Sequence, residues 1–441
     1  MSLAEEAQAM LATVQASEDR PRKIGRLSSF DGLMLEATGF DRPVGSGARV
    51  ITADGRAARA EVVGFRGHQT LLMALDGDAA HANGARVEPD AAGGSADVGM
   101  ALLGRVVDAM GAPLDGLGSI PTVERWPLAG RPGNPLDRAR VMEPFDIGVR
   151  AVNALLTAGV GQRIAIVAGS GVGKSVLMGQ MIAGADADVV VVGLIGERSR
   201  EVSDFLATKL SGTVRAKSVV VAVPADHAPL LRLRAAMRAT AIAEYFRARG
   251  LKVLLLIDSL TRVAHAQREI GLSLGEPPTV KGYPPSALGL IPRIVERAGA
   301  DSRTGGSITA LYTVLADGDD TDDPIVDSAR AIVDGHIILS RSLAEQGVYP
   351  AIDVGRSLSR VMADIVEPEH AAAAAALRRI WAAYEENRDL ILMGAYAPGG
   401  DPMIDEAIAR RPDLLAFMRQ TPKERVSYVD SVKALVEAFG S

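Results

Sequence analysis

The stretch Ile164–Ser175, which reads I-A-I-V-A-G-S-G-V-G-K-S, constrains the fold of this chain more than any other part of it. A strand-sized apolar run enters a turn with glycine at positions 169, 171 and 173, and Lys174-Ser175 then opens a helical segment. Glycines in such a turn let backbone N–H groups converge on one point without clashes between Cβ atoms. The N-terminus of the following helix adds a partial positive charge. The stretch therefore predicts a phosphate-binding loop between a buried strand and a helix.

The residues of this loop have distinct expected roles. Lys174 is expected to reach the β- and γ-phosphates of a nucleotide, and the Ser175 hydroxyl is expected to ligate Mg²⁺. The first motif position is Ala168 rather than glycine, which the mechanism tolerates where the backbone conformation is ordinary. The nucleotide-binding residues predicted in the loop are Gly169, Ser170, Gly171, Val172, Gly173, Lys174 and Ser175.

Two acidic residues that follow other apolar runs extend the predicted site. Val253–Ile257 ends in Asp258, where the shell of a bound Mg²⁺ needs negative charge. Glu197 comes one helix and one strand after the loop, a position that suits a carboxylate that orients or deprotonates an attacking water. Because parallel strands end at a common edge of their sheet, Lys174, Glu197 and Asp258 together predict a nucleotide hydrolysis site.

The rest of the second half of the chain fits an α/β core with a parallel sheet. Its apolar runs are nearly continuous, as expected for strands that are buried on both faces. A long helix is predicted over Leu230–Arg249, with Gly250 as its stop signal. The predicted strands are Ile164–Val167, Val189–Leu194, Val219–Val223, Val253–Ile257, Ile308–Val314 and His336–Leu339.

Smaller parts flank this core. Short β-like pieces over Ala48–Thr52, Ala60–Gly64 and Leu71–Leu75 predict a small β-barrel. After about residue 365 the composition becomes helical, over Ala371–Asn387 and Met403–Phe439. The predicted division is an N-terminal helix over 1–23, a β-barrel over 24–98, a P-loop domain over 99–364 and a C-terminal helical domain over 365–441.

Composition and spacing exclude several kinds of site. The chain has no cysteine, so disulfides, thiolate metal sites and cysteine nucleophiles are excluded. No window approaches the ~18 consecutive apolar residues of a membrane span. The six histidines show no zinc-binding spacing. Residues 317–323 hold five aspartates, but Thr321 and Ser328 stand where a calcium-binding EF-hand needs acidic ligands, so a contact with a neighbouring subunit or a central partner is favoured.

The N-terminal part bears on binding of nucleic acid or of a partner protein. Residues 21–100 hold nine basic and ten acidic side chains and three aromatic ones, which gives poor support for a groove that grips RNA. Residues 3–14 place Leu3, Ala7, Met10, Leu11 and Val14 on one helical face. That face suits either packing on the chain's own domain or docking of a partner protein.

Several segments of this sequence resemble the rotary-type ATPases, and they are most similar to the ATPases of type III protein export. Asp327–Arg330, which reads D-S-A-R, is more similar to flagellar members than to virulence members. The similarity runs from about residue 24 to residue 400. The strings that carry it are Gly169–Ser175, Glu197-Arg198, Leu254–Asp258, Lys281–Ser286, Pro292–Gly299, Asp317–Arg341 and Tyr349–Met362.

The resemblance implies roles for individual residues. Glu197 becomes the catalytic carboxylate with Arg198 beside it, and Asp258 becomes the acid of the Mg²⁺ shell. Arg360 matches the arginine finger, which in this family reaches into the neighbouring subunit's site, and Arg356 is a nearby competitor for that role. Tyr349 matches the residue that stacks on adenine, and Tyr396 is placed on the other side of the adenine pocket.

The implied function is hydrolysis of ATP, with Mg²⁺, by a homohexameric ring that drives protein export, with flagellar use favoured. The implied partners are a regulatory or stator protein at the N-terminal helix, a central stalk-like protein, export substrates with their chaperones, and a membrane export gate. The implied location is cytoplasmic, at the inner face of the membrane export complex. The alternatives are a virulence secretion ATPase, the catalytic subunit of a rotary ATP synthase, a ring-shaped RNA translocase and a nucleotide-binding scaffold without hydrolysis.

Overall fold

The computed structural model describes residues 24–76, 81–90, 93–131, 133–316 and 323–440. The predicted N-terminal helix over 1–23 and all of the Asp-rich loop except Asp323 lie outside the described residues. The chain forms two compact units, one up to Gly94 and the other from Ser95 onward. The finer division into four parts stays a prediction.

The first unit is a closed β-barrel with the neighbour order β1-β2-β5-β4-β3-β6. Buried and less buried side chains alternate along much of β3 and β4, and Val50, Val62 and Leu72 are fully buried inside the barrel. The predicted barrel is confirmed. Its strands among the described residues are β1 (Gly25–Phe30), β2 (Met34–Thr38), β3 (Gly47–Ile51), β4 (Ala57–Arg66), β5 (Gln69–Ala74) and β6 (Arg86–Asp90).

The second unit is built around a largely parallel sheet with the order β17-β16-β10-β15-β13-β11-β12-β8. The short strand β14 pairs antiparallel with β15, β17 pairs antiparallel with β16, and β7 and β9 form a separate pair. The strands of this unit are β7 (Ser95–Val98), β8 (Val106–Val107), β9 (Glu124–Pro127), β10 (Arg163–Ala168), β11 (Val189–Glu197), β12 (Ser218–Pro224), β13 (Lys252–Asp258), β14 (Gly299–Ala300), β15 (Ser307–Leu315), β16 (Gly335–Ile338) and β17 (Leu358–Ser359).

The predicted strands of the α/β core are present in the structure, and only their ends differ. The largest difference is in β11, which continues three residues beyond the predicted Leu194 and ends at Glu197. β10, β11, β13 and β15 are buried along almost their entire length because helices cover both faces of the sheet. Their C-terminal ends lie at one edge of the sheet, where the predicted site residues are found.

The helices of the second unit include the long predicted one, which ends at Arg247 before Gly250, whose φ of 80° is in the left-handed region. Among the described residues no helix is both long and apolar enough to cross a membrane. The helices are α1 (Arg150–Leu155), α2 (Lys174–Gly184), α3 (Ser199–Lys209), α4 (Gly212–Ala216), α5 (Pro229–Arg247), α6 (Leu260–Ser273), α7 (Pro285–Val295), α8 (Pro324–Ile332), α9 (Arg341–Glu345), α10 (Met362–Ile365), α11 (Pro368–Glu386), α12 (Arg388–Leu392), α13 (Pro402–Met418) and α14 (Tyr428–Phe439).

The prediction of helix throughout Met403–Phe439 is wrong between α13 and α14, where residues 419–427 are not helical. Gln420 is buried in this segment, and its amide Nε2 donates to the Gly148 carbonyl at 2.8 Å. Its Oε1 accepts the backbone N–H of Arg150 at 2.7 Å. The segment leaves the helical conformation because it docks on the start of α1, a contact that composition does not reveal.

Candidate active site

The predicted phosphate-binding loop joins β10 to α2, as expected from the sequence. Gly171 and Gly173 have φ values of 80° and 91°, a region that side chains disfavour. Gly173 is the N-cap of α2, and no side chain caps that helix end. Its first-turn N–H groups are therefore available to an anion. Ala168 is the last residue of β10 and is paired with Leu315, so no glycine is needed there.

The side chains of Lys174, Glu197 and Asp258 lie together at this edge of the sheet. The Lys174 Nζ is 2.5 Å from Asp258 Oδ1 and 3.8 Å from Glu197 Oε1. All three side chains are largely buried, with exposed fractions of 13%, 14% and 5% for Lys174, Glu197 and Asp258. The structure thus brings together the three groups that the sequence predicts to surround a triphosphate.

A cavity of about 150 Å³ opens beside these groups. Ser175 and Asp258 both line it, and they supply one hydroxyl and one carboxylate. The described residues hold no cluster of three side chains that could bind a metal alone. Mg²⁺ usually takes one or two protein ligands, with waters and phosphates completing its shell. The residues therefore fit a Mg²⁺ ion that arrives with a nucleotide.

The environment of Glu197 favours proton transfer. Burial raises the pKa of this carboxyl above its ordinary value, and the neighbouring Asp258 charge raises it further. The charges of Lys174 and Arg262 oppose the rise. A carboxylate with a raised pKa accepts a proton more readily, as a general base must.

The raised pKa of Glu197 gives a pH prediction. A base works only when ionised, so kcat should fall as the pH drops through this pKa, at a higher pH than an ordinary glutamate would give. The measurement is kcat at saturating MgATP from pH 9 to pH 5. The residual activity of Glu197→Gln should lack this acid limb, and an unshifted limb in that variant would assign it to another group.

Two residues near Glu197 and Asp258 were not predicted from the sequence. The Thr313 hydroxyl, near the end of β15, donates to Asp258 Oδ1 at 2.5 Å and so fixes that carboxylate. Arg262 lies on the first turn of α6, and a Cβ atom at Gly196 would approach its Cβ to 3.1 Å. A threonine near the C-terminal end of a buried strand was the available signal for Thr313.

Tyr349 and Arg356 lie beside the phosphate-binding loop, whereas Arg198 lies at the start of α3. The Tyr349 ring packs on the loop, since a Cβ atom at Gly173 would lie 3.4 Å from two of its ring carbons. The Arg198 side chain is 79% exposed and its Nη1 lies 3.7 Å from Glu201. Arg356 lines a second cavity, of about 220 Å³, together with Gly169.

Arg360 lies far from the phosphate-binding loop of its own chain. It follows β17, and its backbone N–H donates to the Asp334 carbonyl at 2.9 Å, at the edge where β10 begins. β10 has six residues, so at about 3.3 Å per residue the two sheet edges are roughly 20 Å apart. The Arg360 side chain is exposed and donates to the Arg330 carbonyl at 3.3 Å.

Tyr396 is held in its own turn before α13. Its hydroxyl lies 3.0 Å from Asp405 Oδ1 and 2.9 Å from the Asp401 carbonyl. A place for Tyr396 in an adenine pocket stays a prediction.

Comparisons with known proteins identify the family. Residues 148–359 match the model of the ATP synthase alpha/beta family, nucleotide-binding domain, and residues 366–437 match the T3SS EscN ATPase C-terminal domain. The flagellum-specific ATP synthase of Pseudomonas aeruginosa is 52% identical, over 92% of this chain and 91% of that protein. The chain belongs to the flagellar and type III secretion ATPase family. The flagellum-specific ATP synthase of Salmonella typhimurium is 51% identical, over 94% and 93% of the two chains.

Solved structures agree with this assignment to the flagellar and type III secretion ATPases. The assembled ATPase EscN of enteropathogenic E. coli matches with a TM-score of 0.89 at 40% identity, over 94% of this chain and 100% of that chain. The predicted family, fold class and enzyme class are confirmed: this chain is an ATPase. The C-terminal match is to an export ATPase, which argues against the catalytic subunit of an ATP synthase.

Proposed function

We propose that this ATPase hydrolyses MgATP in a homohexameric ring whose active sites lie between subunits, and that the ring drives flagellar protein export. One observation carries the ring: Lys174, Glu197 and Asp258 lie at one edge of the sheet, while Arg360 is exposed at the opposite edge. One subunit thus carries both the phosphate-side cluster and Arg360, but the two are too far apart to form one site within that subunit. Copies that contact head to tail through these halves close into a ring.

The proposed chemistry assigns one role to each group. Glu197 orients the attacking water and accepts its proton, with Arg198 beside it. Lys174 leaves Asp258 to bind the β- and γ-phosphates, and Tyr349, with Tyr396 as a further candidate, holds the adenine. Ser175 and Asp258 would hold the Mg²⁺ that arrives with ATP, and the bound ion would supply positive charge beside the phosphates.

Arg360 of the neighbouring subunit completes the site by stabilising the charge that develops on the transferred phosphoryl group. Such an arginine can be worth roughly 10³–10⁵ in rate. Because the arginine arrives only on assembly, hydrolysis depends on the ring.

The proposed assembly extends to further partners. EscN has been solved both assembled and in complex with its central stalk EscO, the latter matching this chain with a TM-score of 0.86. We propose a central stalk protein here as well, a regulatory protein at residues 1–23, and contacts with export substrates, their chaperones and a membrane export gate. The proposed location is the cytoplasm, at the inner face of that membrane complex.

Flagellar use is proposed over virulence secretion because of the relatives. The two flagellar relatives above are 52% and 51% identical, whereas the type 3 secretion system ATPase of Sinorhizobium fredii is 44% identical, as is the flagellum-specific ATP synthase of Bacillus subtilis. The support for flagellar use therefore comes from the two relatives above 50% identity. Deletion of the gene should abolish external flagellar filaments, and the wild-type gene but not Glu197→Gln should restore them. A deletion strain with normal filaments but impaired effector secretion would show virulence use instead.

Assembly should raise the activity of each subunit. At concentrations where mass measurement shows monomers, turnover per subunit should be at least about tenfold lower than at concentrations where rings form, because Arg360 is then missing from each site. A non-hydrolysable ATP analogue should shift the mass distribution toward rings. Turnover per subunit that stays constant across the monomer-to-ring range would contradict the shared site.

A further inference from the structure

A buried amide lies directly behind Arg360. Gln162, the residue before β10, is fully buried. Its Nε2 donates to the Asp334 carbonyl at 3.1 Å and lies 3.2 Å from Ser359 Oγ. Its Oε1 accepts the backbone N–H of Gly159 at 2.9 Å. The amide therefore uses both of its ends, which is the usual condition for a buried polar group.

Both acceptors of Gln162 also determine where Arg360 lies. The Asp334 carbonyl that accepts from Gln162 is the same atom that accepts the Arg360 backbone N–H at 2.9 Å. Ser359 is the residue immediately before Arg360, and its hydroxyl donates to the Thr157 carbonyl at 2.8 Å. Gln162 is thus connected to the Arg360 backbone in two ways, through a carbonyl that both residues share and through the side chain of the preceding residue.

The strand that precedes Arg360 is short. β17 has two residues and pairs with β16 through Gly335↔Ser359 and His336↔Leu358. A Cβ atom at Gly335 would lie 2.7 Å from the Leu358 carbonyl oxygen and 3.0 Å from Gln162 Nε2, so the packing is already close. Ser357 anchors the beginning of this strand, since its hydroxyl accepts the backbone N–H of Ile338 at 2.9 Å and donates to the Asp353 carbonyl. The contacts of Gln162 lie at the other end, next to Arg360.

The Arg360 guanidinium also has a hydrogen-bond partner in its own chain. It donates to the carbonyl of Arg330, on the last turn of α8. Carbonyls at a helix C-terminus carry partial negative charge and attract a cation. The backbone contacts that involve Gln162 fix the position of the Arg360 Cα atom, and the C-terminal end of α8 orients the Arg360 side chain.

We propose that Gln162 is a positioning residue for Arg360. Gln162 fixes the position of the Arg360 guanidinium relative to the neighbouring subunit. Gln162 directly precedes β10, the strand that ends in the phosphate-binding loop. The same strand is therefore linked at its beginning to Arg360, which is proposed to act in the neighbouring subunit's site. The inference rests on the proposed role of Arg360 in a neighbouring site.

Two variants weaken this link to different degrees. Gln162→Leu removes all three amide contacts, and Ser359→Ala removes one acceptor while leaving the backbone unchanged. We expect kcat to fall about 10–50-fold in Gln162→Leu and about 3–10-fold in Ser359→Ala. The KM for ATP should change less than about twofold, since each subunit keeps its own phosphate-binding loop. If Gln162→Leu does not fold, Ser359→Ala still tests the proposal.

Thr309→Val is the matched control. Thr309 is fully buried near the same edge of the sheet, and its hydroxyl accepts the backbone N–H of Gly161 at 2.9 Å. Among the described hydrogen bonds, its side chain makes none to β17. The control loses a comparable buried hydrogen bond, and its kcat should stay within about twofold of wild type.

Mixed rings separate a positioning role from a structural one. A Gln162→Leu subunit keeps its own Glu197, and a Glu197→Gln neighbour can supply a correctly placed Arg360. Mixing the two variants should therefore give more activity than the sum of the separate preparations, as should mixing Arg360→Ala with Glu197→Gln. In an Arg360→Ala background, Gln162→Leu should lower kcat less than about twofold further.

The outcomes distinguish the two proposals. Rescue of Arg360→Ala without rescue of Gln162→Leu and Ser359→Ala would overturn the positioning role and leave the shared site intact. The positioning role would also be overturned if Gln162→Leu is as harmful without Arg360 as with it. Absence of rescue for Arg360→Ala would overturn the shared site and this inference with it.

Discussion

Glu197→Gln is expected to lower ATP turnover by about 10³-fold while ATP binding is retained. The amide has nearly the shape of the carboxylate but cannot accept a proton from water, and general-base catalysis contributes typically 10²–10⁴-fold. Lys174 and Asp258, which are expected to bind the phosphates and Mg²⁺, are both unchanged in this variant, so ATP binding should persist. Steady-state turnover and titration with a fluorescent ATP analogue measure the two properties separately.

Asp204→Asn is the control for this prediction. Asp204 lines the same cavity but lies on an exposed part of α3, so its loss removes a similar charge without removing the base. Its turnover should stay within about threefold of wild type. If Glu197→Gln kept turnover within tenfold of wild type, Glu197 would not be the base, and an unchanged residual rate would support a scaffold without hydrolysis.

Arg360→Ala is expected to lower kcat about 10³-fold, with little change in the KM for ATP. The reason is the loss of transition-state stabilisation in the neighbouring site, at the lower end of the range for arginine fingers. Arg360→Lys should recover only a small part, because lysine lacks the planar fork of donors. The exposed side chain contributes little to folding, so the free energy of unfolding should change by less than about 0.5 kcal/mol.

Arg356→Ala is the matched comparison for Arg360→Ala. Arg356 lines the cavity beside Gly169 of its own chain, so it is placed to act in its own subunit. Its loss should not be rescued by mixing with Glu197→Gln subunits. A larger loss in Arg356→Ala than in Arg360→Ala would transfer the main role to Arg356.

The core of the candidate site could be predicted because its signals are local in sequence. An apolar run followed by a glycine-rich turn or an acidic residue marks the end of a buried strand, and parallel strands bring such ends together. Lys174, Glu197 and Asp258 satisfy this rule, and the structure places them within one small cluster.

The remaining contacts depend on which residues pair between neighbouring strands and on how distant segments pack together. Neither can be predicted from a single sequence. The Thr313 hydroxyl reaches Asp258 only because β15 pairs beside β13 with Tyr312 opposite Ile257. Gln162 has no motif and gains its contacts from the antiparallel return of β17. The placement of Arg360 in a neighbouring site came from resemblance alone. The break before α14 arises from the docking of Gln420, not from local helix propensity.

The edges of the barrel and of the central sheet bear on how copies of this protein associate at high concentration. The barrel closes on itself, and the central sheet finishes on each side in a strand of two residues, β17 and β8. Long unpaired strand borders are the usual template for fibrous aggregation, and among the described residues the outermost strands of the central sheet have only two residues each. Backbone pairing between copies through these outermost strands would therefore be short, so side-chain surfaces should decide which copies associate.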